Sequence, residues 1–206
     1  MNDWINRERF SLHPGVRMSQ TMIKTMEDHL GEPRENWKRW LESVGVKDRS
    51  LVKGFLVQKL KMGNNQARLF EEVAFGEAAA RYDAAAYFDA VDDFIKAQYA
   101  GPKEGLRSLY SKCIEILSSF GPDVRFCPCK TFVPAYREKV FAQILPAAQS
   151  RIDLGLALGD TEGNDLLLTT GGREKGDRIT HKIKISQLSQ LNEDVVNWAR
   201  RAYENI

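Results

Sequence analysis

The sequence is poor in the residues from which chemistry is most easily read. Of 206 residues only 3 are cysteine and 3 are histidine. An odd cysteine count without a secretory leader excludes a disulfide-stapled scaffold and predicts free thiols in the cytoplasm. No apolar run approaches the roughly 20 residues that cross a bilayer, so no membrane partner is expected. The opening MNDWINRERFSLHPGV mixes charges and lacks the apolar core of a signal peptide. It reads as an arm docked by Trp4, Ile5 and Phe10. Net charge is only +2, which gives no general electrostatic case for DNA, RNA or an anionic surface. There is no internal repeat, no HExxH and no Ser-His-Asp order. Thr170-Gly171-Gly172-Arg173 lacks the spaced glycines and the lysine-hydroxyl pair of a phosphate loop.

What is present is ordinary globular material, 43% hydrophobic and 28% charged. The chain is long enough to bury a sizeable core without staples. Its first part reads as four short amphipathic helices. Met18, Met22, Met26 and Leu30 form one stripe that Gly31 stops. Trp37, Trp40, Leu41 and Val44 follow at i, i+3, i+4, i+7. Val52, Phe55, Leu56 and Leu60 make a third inward face after an Asp48 or Ser50 cap. Ala67, Phe70, Val73 and Ala74 make the fourth. Joints of two to four residues imply a helical bundle over 14–76. Lys53, Lys59, Lys61 and Arg68 give it a basic flavour open to phosphate contact.

An alanine-rich connection over Gly76 to Arg81 leads to a second domain, 83–206. Two helices come first: one capped by Asp83 and carrying Phe88, Val91, Phe94 and Ile95, and one carrying Leu106, Leu109, Tyr110, Cys113, Leu117 and Phe120. From Val124 the apolar period changes from 3.6 to 2. Val124–Cys129 reads as an edge strand, since Pro128 interrupts its donors. Thr131–Arg137 and Val140–Leu145 read as a hairpin tipped by Glu138-Lys139. Arg151–Leu158 alternates, with Ile152, Leu154, Leu156 and Leu158 on one face and Arg151, Asp153, Gly155 and Ala157 on the other. Gly159–Asp177 reads as a mobile loop with one short ordered segment. Ile179–Ser186 alternates again with His181 inward, and Asn192 opens a closing helix. The fold class is therefore α+β: a helical bundle, then an antiparallel sheet covered on one face by helices.

No catalytic residue and no metal site are assigned, and no cofactor is expected. Cys127-Pro128-Cys129 is a poor start for zinc, which wants wider spacing and two more ligands. The basic residues of the sheet carry the ligand hypothesis. Adjacent strands hold side chains about 5 Å apart, so Arg137 and Arg151 are expected to converge on a carboxylate or phosphate. Lys130, Tyr136 and His181 complete the candidate anion site, with Lys182 and Lys184 nearby.

Two resemblances extend this reading. MSQTMIKTMEDHLGEPRENWKRWLESVGVKDRSLVKGFLVQKLKMGNNQARLF is similar to the helical family called domain of unknown function 4287. From about Ala84 onward the chain resembles domain of unknown function 5655, through LRSLYSKCIEILSSFGPDVRF, KTFVPAYREKVFAQILPA, RIDLGLAL, THKIKI and WARRAYENI. Neither resemblance implies an established reaction. The second family occurs beside nuclease-like domains, which implies an accessory role near nucleic acid. Its architecture is similar to small α+β domains of which one branch delivers iron. The acidic ridge that would suit iron is missing here, so that role is not carried over.

The expectation is a non-enzymatic cytoplasmic binding or accessory module holding a small anion or peptide on its sheet. Nucleic-acid association through the helical part is the alternative, and an enzyme of unknown reaction a further one. A homodimer stays open.

Overall fold

A computed structural model describes residues 4–206. The chain divides into two compact units, one holding Leu12–Ala90 and the other Val91–Ile206 together with the N-terminal arm as far as Ser11.

The first unit is helical. Helix α1 (Pro14–Leu30) starts at a proline whose fixed φ suits the first turn, and the His13 ring accepts a hydrogen bond from the Gly15 amide at 3.0 Å. It ends on Gly31 at φ 68, in the left-handed region that glycine reaches at no steric cost. Helix α2 (Trp37–Ser43) follows a single 3₁₀ turn. Helix α3 (Arg49–Gln58) is capped by Asp48, which accepts from Ser50 N at 2.9 Å. Helix α4 (Asn64–Ala74) begins one residue after Gly63. The core centres on Trp37, fully buried and stacked on Phe70 at 4.2 Å between centroids, with Leu41, Leu56, Met26 and Ile23 around it.

The methionine stripe does not run inward along its length. Met26 is buried but Met18 is 67% exposed. A strict i, i+4 row drifts about 40° per step around a 3.6-residue helix, so Ile23 and Val16 take the buried positions that Met22 and Met18 leave.

The second unit is a six-stranded sheet backed by helices. Helix α5 (Ala84–Gln98) spans the boundary between the units, and helix α6 (Arg107–Ser118) follows. The strands are β1 (Arg125–Phe126), β2 (Val133–Tyr136), β3 (Val140–Ala148), β4 (Arg151–Leu156), β5 (Leu168–Thr169) and β6 (His181–Ile185). Helix α7 (Gly172–Lys175) lies between β5 and β6, and helix α8 (Glu193–Glu204) closes the chain. The strand order is β1-β2-β3-β4-β6-β5, antiparallel throughout. Helix α8 lies against β3 and β4, and α6 against α8. One face of the sheet thus supplies Val133, Ala135, Ala142, Ile144, Ile152, Leu154, Leu156, Ile183 and Ile185 to the core.

Three local features differ from the sequence reading. Strand β3 is longer than expected and runs through Pro146, at an irregularity between Leu145 and Ala148. A proline lacks the ladder donor and sits in a strand at such a site. Edge strand β1 is covered by the arm: Phe126 N donates to Arg9 O and Ser11 N donates to Phe126 O, both at 2.9 Å. The 159–177 excursion is more ordered than a mobile loop. Leu167 is fully buried, β5 pairs with β6, and Arg173 is hydrogen-bonded to Asp160.

Candidate functional site

The candidate residues lie on or beside the sheet, but the structure does not gather them. Arg137 follows β2 at the β2–β3 tip. Arg151 opens β4 and pairs with Ala148 at the far end of β3. The nine residues of β3 separate the two ends by about 26 Å. The expected convergence of Arg137 and Arg151 is therefore corrected. Adjacency of strands does not bring together residues at opposite ends of a shared neighbour.

Each arginine has a carboxylate of its own. Arg137 Nε donates to Asp123 Oδ2 at 2.8 Å, and the Tyr203 hydroxyl donates to Asp123 Oδ1 at 2.7 Å. The guanidinium carbon lies 4.8 Å from the Tyr203 ring centroid. The Tyr203 hydroxyl first and Arg137 second hold the Asp123 carboxyl below its usual range, and the same bonds raise Tyr203 and Arg137. This trio ties the β2–β3 tip to α8 and leaves Asp123 with both oxygens engaged.

His181 is fully buried, so it is corrected as a ligand contact. Its Nε2 lies 2.9 Å from the Thr161 carbonyl, which can only accept, so Nε2 carries the proton. Its Nδ1 then accepts from the Thr180 hydroxyl at 2.9 Å, while Thr180 Oγ1 accepts from Leu158 N at 3.2 Å. The histidine pins the 159–180 excursion to β6. Tyr136 ends β2 half-buried, its phenol pushed up to about 12 first by burial and then by the nearby Cys127 and Cys129. Lys130 is exposed on the β1–β2 connection. Cys113 and Cys129 form no disulfide, and burial pushes the Cys129 thiol up to about 11. Such a thiol is protonated and a weak nucleophile at neutral pH. Among the described residues no group of three or more His, Cys, Asp or Glu side chains is placed to hold a metal ion.

One arrangement on the open face was only half visible in the sequence. Arg151 and Asp153 are two apart in β4 and so share a face. The register sets Lys184 opposite Asp153 and Lys182 opposite Gly155. Arg151 Nε donates to Asp153 Oδ1 at 2.7 Å, and Lys182 Nζ donates diagonally to Asp153 Oδ2 at 2.9 Å. The Asp153 side chain is only 6% exposed, whereas Arg151 and Lys182 each keep 34%. Lys184 is exposed beside them. Two cations thus engage both oxygens of one carboxylate, and Lys184 stands across the ladder from it. Arg151 reaches Asp153 through Nε. Gly155 lies buried beside them, with the Gln143 and Ile179 side chains packed over it. A Cβ there would lie 2.7 Å from both Gln143 Cγ and Ile179 Cγ2, closer than real side-chain contacts come.

The family model described as domain of unknown function (DUF5655) matches residues 95–206, which contain the whole sheet and this cluster. No curated protein and no solved structure matches the chain.

Proposed function

We propose, from the premise that this chain belongs to the DUF5655 family, that its C-terminal sheet is a non-enzymatic module binding a small anion, a phosphate or carboxylate, at Arg151, Lys182 and Lys184. The carrying observation is the nearly buried Asp153 with two cations fixed on it. A buried carboxylate engaged on both oxygens orders its partners. It holds the Arg151 fork in one orientation, so less side-chain freedom is lost when an anion docks. Two cations on one anion, with Lys184 beside them, leave a local positive excess that the chain's net charge hides.

Inorganic phosphate and citrate, titrated against chloride at matched ionic strength, test this by thermal shift. Ligand at 100 times its dissociation constant adds about 2.7 kcal/mol. Arg151→Lys keeps the charge and the Asp153 partner but removes the fork, and Lys184→Glu reverses an exposed charge. Both are expected to weaken the shift, whereas Arg137→Lys leaves it unchanged. A chloride-sized response to all anions would end the reading.

A second reading, nucleic-acid association, is favoured by the α3–α4 connection. Lys61 sits there at φ 57, an uncommon conformation for a lysine. Lys53 and Lys59 precede it on and just after α3. The first turn of α4 has no side-chain cap on its amides, which suits phosphate. Arg68 drops out of the expected set, because it pairs with Glu72 at 3.0 Å. Filter binding of duplex and single-stranded DNA at two salt concentrations tests it, since phosphate contacts appear first at low salt. The finer assignments belong here too: the helical unit as a member of domain of unknown function 4287, supported by the sequence resemblance over 18–70, and a cytoplasmic location, supported by the thiols of Cys113 and Cys129, which form no disulfide.

A further inference from the structure

The most unusual interior of the second unit lies away from the charged face, between the residue that follows α5 and helix α6. Tyr99 and Tyr110 lie side by side there, ring centroids 4.9 Å apart. They are 0% and 1% exposed, and neither hydroxyl has a hydrogen-bond partner. A buried phenol usually finds one, because an unpaired donor in the interior forfeits its hydration for nothing. Burial pushes both phenols well above their usual range, so they are neutral donors.

The group that covers them is Trp4, from the N-terminal arm. Its ring meets Tyr99 edge-on at 5.7 Å and Tyr110 at 5.6 Å. Arg107 stacks its guanidinium 5.2 Å from the Trp4 ring, and is itself oriented by the Tyr99 carbonyl and Glu104. Trp4 therefore occupies an aromatic slot with two tyrosines beneath it and a guanidinium stacked on it. It fits by shape and fails by chemistry. Indole carries a donor and no acceptor, so it gives two buried donors nothing to bond.

Beyond these ring contacts, one hydrogen bond holds Trp4. The Ser111 hydroxyl donates to its carbonyl at 3.2 Å. The stronger anchors come later in the arm: Arg7 on Asp92 at 2.7 Å, and the backbone pairing of Arg9 and Ser11 with Phe126. These later anchors do not use the Trp4 ring, so a docked arm is compatible with its displacement. A cleft of about 380 Å³ already opens beside Trp4, along Ser111, Ile114, Glu115 and Ser118.

We propose that this slot is a binding site for a planar aromatic ring bearing a hydrogen-bond acceptor, and that Trp4 fills it as a stand-in from the same chain. The ligand displaces Trp4, stacks under Arg107 and accepts from the Tyr99 and Tyr110 hydroxyls. Tethered Trp4 competes at high effective concentration, so an intact chain binds such rings weakly. The site does not depend on the anion-binding reading.

Full-length Trp4→Ala, followed by thermal shift with quinoline and with indole, decides it. Both probes are flat and bicyclic, but only quinoline offers an acceptor. The variant is expected to melt below wild type and to be restored by quinoline at concentrations where indole restores it at most one third as far. Wild type should respond at least tenfold more weakly to both. Adding Tyr99→Phe and Tyr110→Phe should abolish the quinoline preference. If Trp4→Ala does not fold, Trp4→Leu opens less of the slot and is read the same way. Equal rescue by the two probes, or rescue by neither, overturns the proposal, because the slot would then be plain core packing.

Discussion

Replacing Asp153 by asparagine keeps the shape of the side chain and removes its charge. Asp153 is nearly buried, and it accepts from Arg151 at 2.7 Å and from Lys182 at 2.9 Å. Asparagine retains one oxygen for Arg151 but turns an amide donor toward Lys182, so a donor faces a donor. A hydrogen bond to a charged group is worth about 1.5–3 kcal/mol. Losing one and weakening the other would cost about 3–5 kcal/mol in a closed interior. Arg151 and Lys182 are each about a third exposed and regain water, so the expected loss is roughly 2–4 kcal/mol. For a chain of this size that lowers the melting temperature by about 4–16 °C. Urea unfolding should show a lower midpoint at unchanged slope, since the surface exposed on unfolding is the same. The phosphate shift should also weaken, because Arg151 loses the anchor that aims it. A change under about 0.5 kcal/mol, the scale of an ordinary surface substitution, would refute the argument that Asp153 organises this face.

Three further outcomes follow from the geometry. Asp123 has a lowered pKa and Tyr203 a raised one. Their link therefore stabilises fully between the unfolded carboxyl and phenol values. It fades as pH falls through the folded Asp123 value, and again as pH rises through the folded Tyr203 value. The melting-temperature gap between wild type and Asp123→Asn should be widest near neutrality and close at both ends; a gap independent of pH from 2 to 11 contradicts the link. Gly155→Ala places a Cβ against Gln143 and Ile179 and should cost about 1–3 kcal/mol in urea, partly recovered by adding Gln143→Ser. His181→Phe strands the buried Thr180 hydroxyl and releases Thr161, at about 1–3 kcal/mol. Hydrogen exchange should speed up over 159–170 first, and uniform exchange across the sheet would count against the pinning role.

The elements were legible because each rests on a local period. Strands β3, β4 and β6 alternate, and the inward parity named Ile152, Leu154, Leu156 and Ile183 as core, as they are. The caps at Asp48 and Asn192 likewise act within a turn of their own residue. The candidate site was legible only in parts. Parity places Arg151 and Asp153 on one face, yet it does not separate Arg137, which lies beyond the opposite end of β3, nor show that Lys182 reaches Asp153. Both depend on register and strand-end position, which are set by where chains turn and pair. His181 shows the same limit: inward parity marked it, but its bond to Thr161 crosses a folded excursion no period describes.

The sequence by itself determined the helical first part, the change of period at Val124, the antiparallel sheet and the side of each strand that enters the core. Those follow from side-chain spacing along one segment. The tertiary structure alone decided which charges meet, since Asp153 lies 29 residues from Lys182 and Trp4 is more than ninety from Tyr99 and Tyr110. Contacts of that kind come from the closing of loops and the sliding of strands into register, where many segments must agree at once.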